Sequence, residues 1–295
     1  MFVEHTLEKP SWLRVRAGDA ARVAATHGRL RSHGLETVCE AAKCPNLPVC
    51  WREGHATFLI LGKHCTRGCA FCNVERNAPM PVDPTEPERV AAAVSEAGVR
   101  HAVVTSVTRD DLPDGGAAHW AAVLGAVKKT GATVEALVPD FQGRQHDIST
   151  VLEAGPDVFG HNLETVPRLY GAVRPGGDYT RALGVLRFAA GRGAVVKTSL
   201  LLGLGEREEE LARVFDDAAG AGCRILFLGQ YLRPSPRHAP VAEYVRPGRF
   251  EALRERALAT GFAAVAAGPL VRSSFACAEQ REFLSGRKAG TGKPC

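Results

Sequence analysis

The sequence predicts an α/β fold, a partial (β/α)6 TIM-like barrel wrapped by extensions at both ends. Apolar runs of strand length recur along the chain, and amphipathic segments of helix length separate them. Six such units are too few to close an eight-stranded barrel, so they indicate an open sheet covered by helices. A chain of 295 residues can hold such a fold as one unit.

The predicted strands are apolar and rich in β-branched residues, and they occupy 56–62, 101–107, 133–139, 158–164, 194–202 and 225–232. Apolar residues recur with a helical period between them, at 86–97, 116–129, 145–154, 179–191 and 206–221. No GxGxxG motif follows the first strand, so a dinucleotide-binding fold would lack its phosphate loop. We therefore expect an N-terminal extension over 1–54, a barrel over 55–245 and a C-terminal extension over 246–295.

The two extensions have weaker patterns. Residues 10–13 (PSWL) indicate an anchor, and 17–33 show a short helical pattern. After the barrel come a predicted helix at 248–260, a strand-like run at 263–270 and a Gly-rich basic tail of disordered composition. Cys295, in that tail, has no predicted role.

Composition and charge narrow the class of protein. No apolar run approaches the roughly 18 residues that span a bilayer, and the N-terminus has no signal core and carries Glu4 and Glu8, which transit peptides avoid. We therefore expect a cytoplasmic protein. The net charge of +5 comes without a dense basic run with interleaved aromatics, so nucleic acid is a poorly supported partner. Six of the nine cysteines form two tight groups, which in a reducing compartment indicate metal ligands.

The first cysteine group lies in the loop 64–73 (HCTRGCAFCN), directly after the first predicted strand. It places Cys65, Cys69 and Cys72 in a CxxxCxxC spacing. Soft thiolates select iron–sulfur clusters or zinc. Zinc sites usually close with a fourth Cys or His, and His64 is awkwardly placed for the same ion as its neighbour. Three ligands leave one iron of a [4Fe–4S] cluster open to a small molecule; a zinc knuckle or buried structural thiols are the alternatives.

With Phe71 before the third cysteine, this loop resembles the signature of radical S-adenosylmethionine (SAM) enzymes. In that superfamily the open iron chelates the amino and carboxylate groups of SAM, and the aromatic residue flanks the adenine. No side-chain acid or base can break an unactivated C–H bond, so an enzyme that does so needs a cofactor that supplies a radical.

The second group, Cys39, Cys44 and Cys50, has x4 and x5 spacings. Pro45 and Pro48 prevent a continuous helix. We therefore expect a looped segment that folds its thiols around one metal centre, with unrelated buried cysteines as the alternative.

Polar residues gather at the ends of the later predicted strands. In folds of this class the chemistry lies at the carboxyl ends of the strands. Each of these residues alone can be structural, but their convergence on one face predicts a binding pocket. The set is Thr105, Ser106, His161, Asn162, Glu164, Lys197, Ser199 and Gln230.

From about Lys9 to Gln280 the chain resembles the lipoyl synthase family. The stretches that carry the resemblance are VCEAAKCPN, HCTRGCAFC, VVTSVTRDDLPDGG, HNLETVPRLYGAVRPG, LGLGE, GQYLRPS and GPLVRSS. The resemblance implies two [4Fe–4S] clusters and a transferase that inserts two sulfur atoms at C6 and C8 of an octanoyl chain on a carrier-protein lysine. It also implies that the auxiliary cluster is consumed as the sulfur donor.

The resemblance also implies roles for individual residues. The CxxxCxxC cysteines would hold the SAM cluster, and Cys39, Cys44 and Cys50 would hold the auxiliary cluster with Ser274 of the RSS motif as its fourth ligand. Asn162 and Glu164 resemble residues that contact the ribose or the substrate. The expected SAM and substrate pocket is completed by Phe71, Thr105, Ser106 and Lys197.

The chain departs from the family pattern near its RSS motif. Phe275 stands where the family usually has Tyr. Cys277 competes as fourth ligand because cysteine is the common choice, and Ser274 could instead cap a helix. The resemblance favours Ser274.

The expected partners are an octanoylated lipoyl carrier protein or domain and a reducing donor such as flavodoxin or ferredoxin. Two other functions stay open. One is a biotin-synthase-like insertion of sulfur into a free small molecule. The other, in a different class, is a two-cluster electron-transfer protein, which would need neither a pocket nor an open iron.

Overall fold

The computed structural model describes residues 7–14, 24, 28, 32–41, 44, 46–52, 57–275 and 278–286. Its centre is one eight-stranded sheet in which the strands follow the order of the chain. The strands are β1 Glu36–Thr37, β2 Thr57–Ile60, β3 His101–Ser106, β4 Thr133–Leu137, β5 Val158–Gly160, β6 Val196–Leu202, β7 Ile225–Gln230 and β8 Ala264–Gly268. β1 runs antiparallel to β2, and each later neighbouring pair is parallel.

The sheet is open and curved, with β1 and β8 at its two edges. Lys197 Nζ on β6 donates a hydrogen bond to Glu135 Oε1 on β4 at 2.8 Å, although β5 lies between these strands. Side chains of two strands come closer across an intervening strand on the concave face of a bent sheet than on its convex face. The predicted partial barrel is therefore confirmed, and the space that its concave face encloses is called the lumen below.

Helices follow the strands and cover the convex face. They are α1 Val38–Ala41, α2 Leu47–Arg52, α3 Glu86–Glu96, α4 Ala117–Lys128, α5 Gln145–Glu153, α6 Tyr170–Val173, α7 Tyr179–Gly191, α8 Glu208–Gly220, α9 Pro247–Ala259 and α10 Ala278–Leu284. Val104 of β3 and Trp120 of α4 are both completely buried in the main core between sheet and helices. Burial of each such side chain contributes about 1.5–3 kcal/mol.

The predicted barrel helices all begin and end within two residues of the observed ones, and 248–260 is found as α9. The strand predicted at 158–164 is shorter, because the backbone leaves the ladder after Gly160 and turns through Glu164, whose φ is 66°. The strand-like run at 263–270 forms β8, so a seventh parallel strand joins the predicted six beyond position 245. The domain boundaries themselves remain predictions.

The described part of the N-terminal extension is anchored on the core. Leu13, in the 3₁₀ turn Ser11–Leu13, is completely buried, whereas Trp12 is exposed. The helical pattern at 17–33 and the tail with Cys295 lie almost wholly outside the described residues. No helix in the described ranges has the length and apolar character needed to cross a membrane.

Candidate active site

The CxxxCxxC loop follows the carboxyl end of β2 and keeps its three thiols as neighbours. Cys65 Sγ accepts hydrogen bonds from the N–H groups of Arg67 and Thr108 at 3.4 and 3.3 Å. The N–H of Cys72 donates to the carbonyl of Cys69 at 3.1 Å and closes a turn. Negative charge on Cys69 or Cys65 would raise the pKa of Cys72, which shows that the three thiols lie within electrostatic reach of one another. The structure therefore brings the three predicted ligands together.

Segments from distant parts of the chain hold this loop in place. The N–H of Ala70 donates to the carbonyl of Val173 at 2.8 Å, and the N–H of Ala239 donates to the carbonyl of Ala70 at 2.8 Å. A ring nitrogen of His238, Nε2, lies 3.0 Å from the carbonyl oxygen of Cys72. The loop is thus fixed by the residues that follow β5 and β7.

Arg67, between the first two cysteines, clamps the loop to the ends of two strands. Its guanidinium donates to Asp110 at 2.7 and 2.8 Å and to Asp140 at 2.8 and 2.9 Å. Its side chain is only 9% exposed, and hydrogen bonds from Arg67 hold the pKa of both carboxyl groups below the usual range, although burial alone would raise it. This clamp is not among the contacts predicted from the sequence. The sequence signal was an arginine in the cysteine loop together with two acidic residues that follow predicted strands, Asp110 after 101–107 and Asp140 after 133–139.

Burial makes two of the loop thiols, those of Cys69 and Cys72, poor acids. It raises the pKa of Cys69 to about 11 and that of Cys72 to about 12, while the neighbouring guanidinium of Arg174 opposes the shift at Cys69. Metals bind the thiolate, so these side chains become ligands only for a centre that supplies enough positive charge. The soft, cationic core of an iron–sulfur cluster meets that requirement.

The polar residues after β5 offer unpaired hydrogen-bond acceptors beside the loop. His161 Nδ1 lies 2.8 Å from the carbonyl of Val138, so Nδ1 carries the proton and Nε2 is an acceptor. Among the described residues, His161 Nε2 and Asn162 Oδ1 are buried without a hydrogen-bond partner. Burial lowers the pKa of His161 to about 4, so its ring is neutral at physiological pH. Such acceptors suit a ligand that carries hydroxyl or ammonium donors.

Glu164 lies in the same region in a strained conformation. Its φ of 66° is in the left-handed region, which costs a residue other than glycine about 1–3 kcal/mol. Its Oε1 accepts a hydrogen bond from Asn162 Nδ2 at 3.0 Å. Burial raises the pKa of Glu164, and the cation of Arg174 opposes this shift. Strain that persists at a partly buried carboxylate is typical of a functional site.

The other predicted pocket residues differ in where they point. Phe71 packs against an apolar cluster of the residues that follow β5, β6 and β7. Thr105 Oγ1 donates to the carbonyl of Leu137 at 2.7 Å. Ser106 lies on the convex side, where its Oγ accepts a hydrogen bond from the indole of Trp120 at 3.2 Å. This contact gives Ser106 a structural task away from the lumen.

Lys197 faces the lumen but lies toward the amino-terminal ends of the strands. It is the second residue of β6, and its ammonium donates to Glu135 Oε1 at 2.8 Å and to Gln280 Oε1 at 2.7 Å. It also lies 3.9 Å from the centre of the Phe227 ring. These contacts occupy the ammonium group of Lys197, and its predicted role in SAM binding stays a prediction.

The second cysteine group surrounds a cavity at the amino-terminal ends of β2 and β3. Together with the part that is open to solvent, the cavity comprises about 410 Å³ of empty space. Residues 269–275 close one side of it, and the extension before β2 closes another. Its lining comprises Cys39, Cys44, Asn46, Cys50, Thr57, His101, Val103, Arg272, Ser274 and Phe275. The structure therefore brings Ser274 together with the three cysteines, whereas Cys277 lies outside the described residues.

Two asparagine side chains tie the segment of the second cysteine group to its surroundings. Asn46 Nδ2 donates to the carbonyl of Leu270, so the cysteine segment and the segment of the RSS motif are directly joined. Asn73 Nδ2, next to the third cysteine of the other loop, donates to the carbonyl of Ala41 at 2.7 Å. The N–H of Cys44 donates to the carbonyl of Cys39 at 2.9 Å and folds the segment back on itself.

In the described part of the chain, no group of three or more His, Cys, Asp or Glu side chains is packed closely enough to hold a single metal ion. A polynuclear cluster needs ligands that stand farther apart, because each binds a different iron atom. The loop site offers three thiols, and the second site offers three thiols and the hydroxyl of Ser274. Both donor sets fit the chemistry of [4Fe–4S] clusters.

The sequence of this chain is similar to a known family and to several characterised proteins. A family model described as the radical SAM superfamily matches residues 59–218. Lipoyl synthase of Geobacter metallireducens is 50% identical over 91% of this chain and 96% of its own length. Lipoyl synthase of Alkaliphilus metalliredigens is 46% identical over 93% and 96%, and that of Methylococcus capsulatus is 49% identical over 95% and 88%.

Solved structures share the fold at low sequence identity. Methylornithine synthase superposes with a TM-score of 0.51 at 12% identity and covers 95% of this chain and 92% of its own. HydG, a maturase of the [FeFe]-hydrogenase, gives a TM-score of 0.57 at 15% identity and covers 86% and 58%. SuiB of Streptococcus suis bound to S-adenosylmethionine gives 0.55 at 11% identity and covers 71% and 50%.

Proposed function

Since the chain belongs to the lipoyl synthase family of radical SAM enzymes, we propose that it inserts sulfur at C6 and C8 of an octanoyl chain attached to a lipoyl carrier protein. The family implies SAM and a [4Fe–4S] cluster as cofactors. Our proposal adds a second, auxiliary cluster, held by Cys39, Cys44, Cys50 and Ser274, as the sacrificial sulfur donor.

The observation that carries this proposal is the position of the two thiol groups at opposite ends of β3. Thr108, just after that strand, contacts Cys65, whereas His101 and Val103, at its beginning, line the cavity of the second group. Five to seven residues of extended chain correspond to roughly 16–23 Å. A radical generated at one end and a sulfur source at the other leave the lumen between them for the substrate chain.

An aliphatic substrate suits the apolar part of the concave face. Val158, Ile225, Phe227 and Ala266 form a buried apolar cluster there, and Val271 and Phe275 from the segment after β8 pack against it. An octanoyl chain that reached this cluster would gain about 0.8 kcal/mol for each CH₂ group removed from water. The substrate is long enough to extend from a carrier at the lumen mouth into the space between the two sites.

The chain's own residues would bind and orient the reactants. When bound, the first cluster supplies the electron that cleaves SAM to a 5′-deoxyadenosyl radical. Asn162 and Glu164 would accept hydrogen bonds from the nucleoside, and Phe71 would pack against its adenine. Cys65, Cys69 and Cys72 would leave one iron open, because the loop offers no fourth cysteine.

The proposed partners follow from this chemistry. An octanoylated carrier protein or domain would present the substrate, and a low-potential donor such as flavodoxin or ferredoxin would supply electrons. Both partners, and the cytoplasmic location, remain predictions.

The test is anaerobic reconstitution followed by iron counting and turnover of an octanoyl-lysine peptide. We expect about eight irons, from two four-iron clusters, and a product that carries two new C–S bonds. Cys65→Ala should retain about four irons but form no 5′-deoxyadenosine. Cys39→Ala should cleave SAM and insert no sulfur. Turnover of free octanoate in place of the peptide would favour a small-molecule enzyme. A reduced EPR spectrum unchanged by SAM would favour electron transfer and contradict the proposal.

A further inference from the structure

Arg272 is the cation of the auxiliary cavity. Its side chain lines that cavity together with the three cysteines and Ser274. Because these side chains line one cavity, the guanidinium lies beside the predicted cluster ligands.

Among the residues that the structure describes, no carboxylate bonds this cation. In the described part of the chain, the guanidinium of Arg272 donates only to backbone carbonyls, to Val271 at 2.6 Å and to Pro269 at 3.5 Å. The contrast with Arg67 is direct, because that side chain bonds two carboxylates. Arginine stays charged in proteins, and a charge withdrawn from water without a partner is costly. An anion in the cavity would provide the missing partner.

The backbone next to Arg272 packs directly against strand β7. A Cβ atom on Gly229 of β7 would lie 2.0 Å from the carbonyl oxygen of Val271, so only glycine lets this segment lie against the strand. The carbonyl of Leu270 is held by Asn46, from the loop between two of the cysteines. The backbone around Arg272 is therefore positioned by β7 and by the segment that carries the three cysteines.

We propose that Arg272 is the counter-cation of the auxiliary cluster and raises its reduction potential. This inference rests on the proposed function. Three thiolates and one alkoxide outweigh the positive charge of the cluster core, so the cluster is an anion. A guanidinium beside it stabilises each added electron, since net charge and hydrogen bonds at the sulfurs set the potential of such clusters.

The electron count of sulfur insertion explains why a raised potential is useful. The substrate carbon radical brings one electron and a bridging sulfide brings a lone pair. Two of these three electrons form the C–S bond, and the third reduces a ferric ion of the cluster to ferrous, with no proton transfer. The cluster must therefore accept an electron at each insertion. Arg272 would act as a positioning and electrostatic residue that favours this step.

The experiment measures the midpoint potential of the auxiliary cluster without turnover. Cys65→Ala in the full chain removes the SAM cluster, so that the EPR signal of the auxiliary cluster is observed alone. Into this parent we would place Arg272→Met, Arg272→Lys and, as a matched control, Arg168→Met. Arg168 pairs with Glu210 on the outer surface, 2.6 Å away.

We expect Arg272→Met to shift the reduction equilibrium at least tenfold toward the oxidised state, about 59 mV lower for one electron. Arg272→Lys should stay within threefold of the parent, and Arg168→Met should match it. A fully iron-loaded Arg272→Met with an unchanged potential would overturn the proposal. If Arg272→Met binds no iron, loading of Arg272→Lys would support the role of the charge, and failure of both would overturn it. Absence of iron in the parent would refute the proposed function itself, before Arg272 is changed.

Discussion

Lys197 and Glu135 form a buried ion pair in the lumen, and its removal gives the sharpest test of what this polar group does. The two side chains are 1% and 0% exposed and lie 2.8 Å apart. Gln280 of α10 bonds both, accepting from Lys197 Nζ at 2.7 Å and donating to Glu135 Oε2 at 2.6 Å. The three side chains thus connect β4, β6 and the helix after the RSS motif.

Two independent estimates give the magnitude. Burial alone would raise the pKa of Glu135, but Lys197 and His101 outweigh it and lower the pKa from 4.5 to about 2. At 1.36 kcal/mol per pKa unit, this shift corresponds to about 3 kcal/mol. Breaking a buried pair by removal of one partner typically costs 3–5 kcal/mol. We therefore expect Lys197→Met to lower the free energy of unfolding by about 3–5 kcal/mol.

The assay is urea unfolding at neutral pH, with a series of variants that removes the polar group stepwise. Glu135→Leu combined with Lys197→Met should recover only part of the loss, because Gln280 would keep an unpaired buried amide at about 1–3 kcal/mol. Adding Gln280→Leu should recover the rest. Arg192→Met, which breaks the exposed pair with Glu153 at 3.8 Å, is the matched control and should cost less than 1 kcal/mol.

The pH dependence has a definite sign. The pKa of Glu135 is lowered in the folded state, so its stabilising contribution is complete above about pH 4.5 and is lost as the pH falls toward 2. The deficit of Lys197→Met should therefore be largest at neutral pH and shrink below pH 4.5. A cost no greater than that of Arg192→Met would refute this reasoning. So would weakened SAM binding in Lys197→Met, which would return Lys197 to the cofactor pocket.

Glu164→Ala should weaken SAM binding by about 1–3 kcal/mol, the usual loss for hydrogen bonds to a charged group; calorimetry that finds an unchanged affinity would contradict this. Ser274→Ala should still form 5′-deoxyadenosine but insert no sulfur, whereas Cys277→Ala should do both, and a fully active Ser274→Ala would pass the ligand role to Cys277. Arg67→Lys cannot bond Asp110 and Asp140 in the bidentate fashion of arginine, so it should lose iron from the SAM cluster faster under a chelator challenge; Arg168→Lys is its control, and equal rates of loss would show that the clamp is unnecessary.

The helices and strands were predictable because hydrophobic periodicity is a local property of the chain. The same periodicity also limits which of the predicted pocket residues can face the lumen. Thr105 and Ser106 are adjacent in β3, and neighbouring residues of a strand face opposite sides, so only one of them can face the lumen. The contact of Ser106 with Trp120 shows which one does not. The position of Lys197 near the beginning of β6 likewise placed it at the amino-terminal end.

What the sequence could not supply were contacts between distant segments. Asn46 and Leu270 are far apart in the chain, as are Asn73 and Ala41, and no spacing rule joins them. The cavity that unites Cys44 with Ser274 was expected from family resemblance and not from any pattern in the residues. Arg272 lay inside a stretch that carried the resemblance, but only the structure showed that its guanidinium bonds backbone carbonyls and, within the described ranges, no carboxylate.

The placement of the two ligand groups bears on how a cluster could be consumed and replaced. Cys65, Cys69 and Cys72 lie in a loop between two barrel strands, and that loop is fixed by the residues after β3, β4, β5 and β7. The four ligands proposed for the auxiliary cluster all lie outside β2–β8, on the two extensions. None of these four ligands lies on a strand of the parallel sheet, so loss of the auxiliary cluster would leave every ladder of that sheet intact. In the proposed function, a cluster dismantled during the reaction could therefore be rebuilt on a folded barrel.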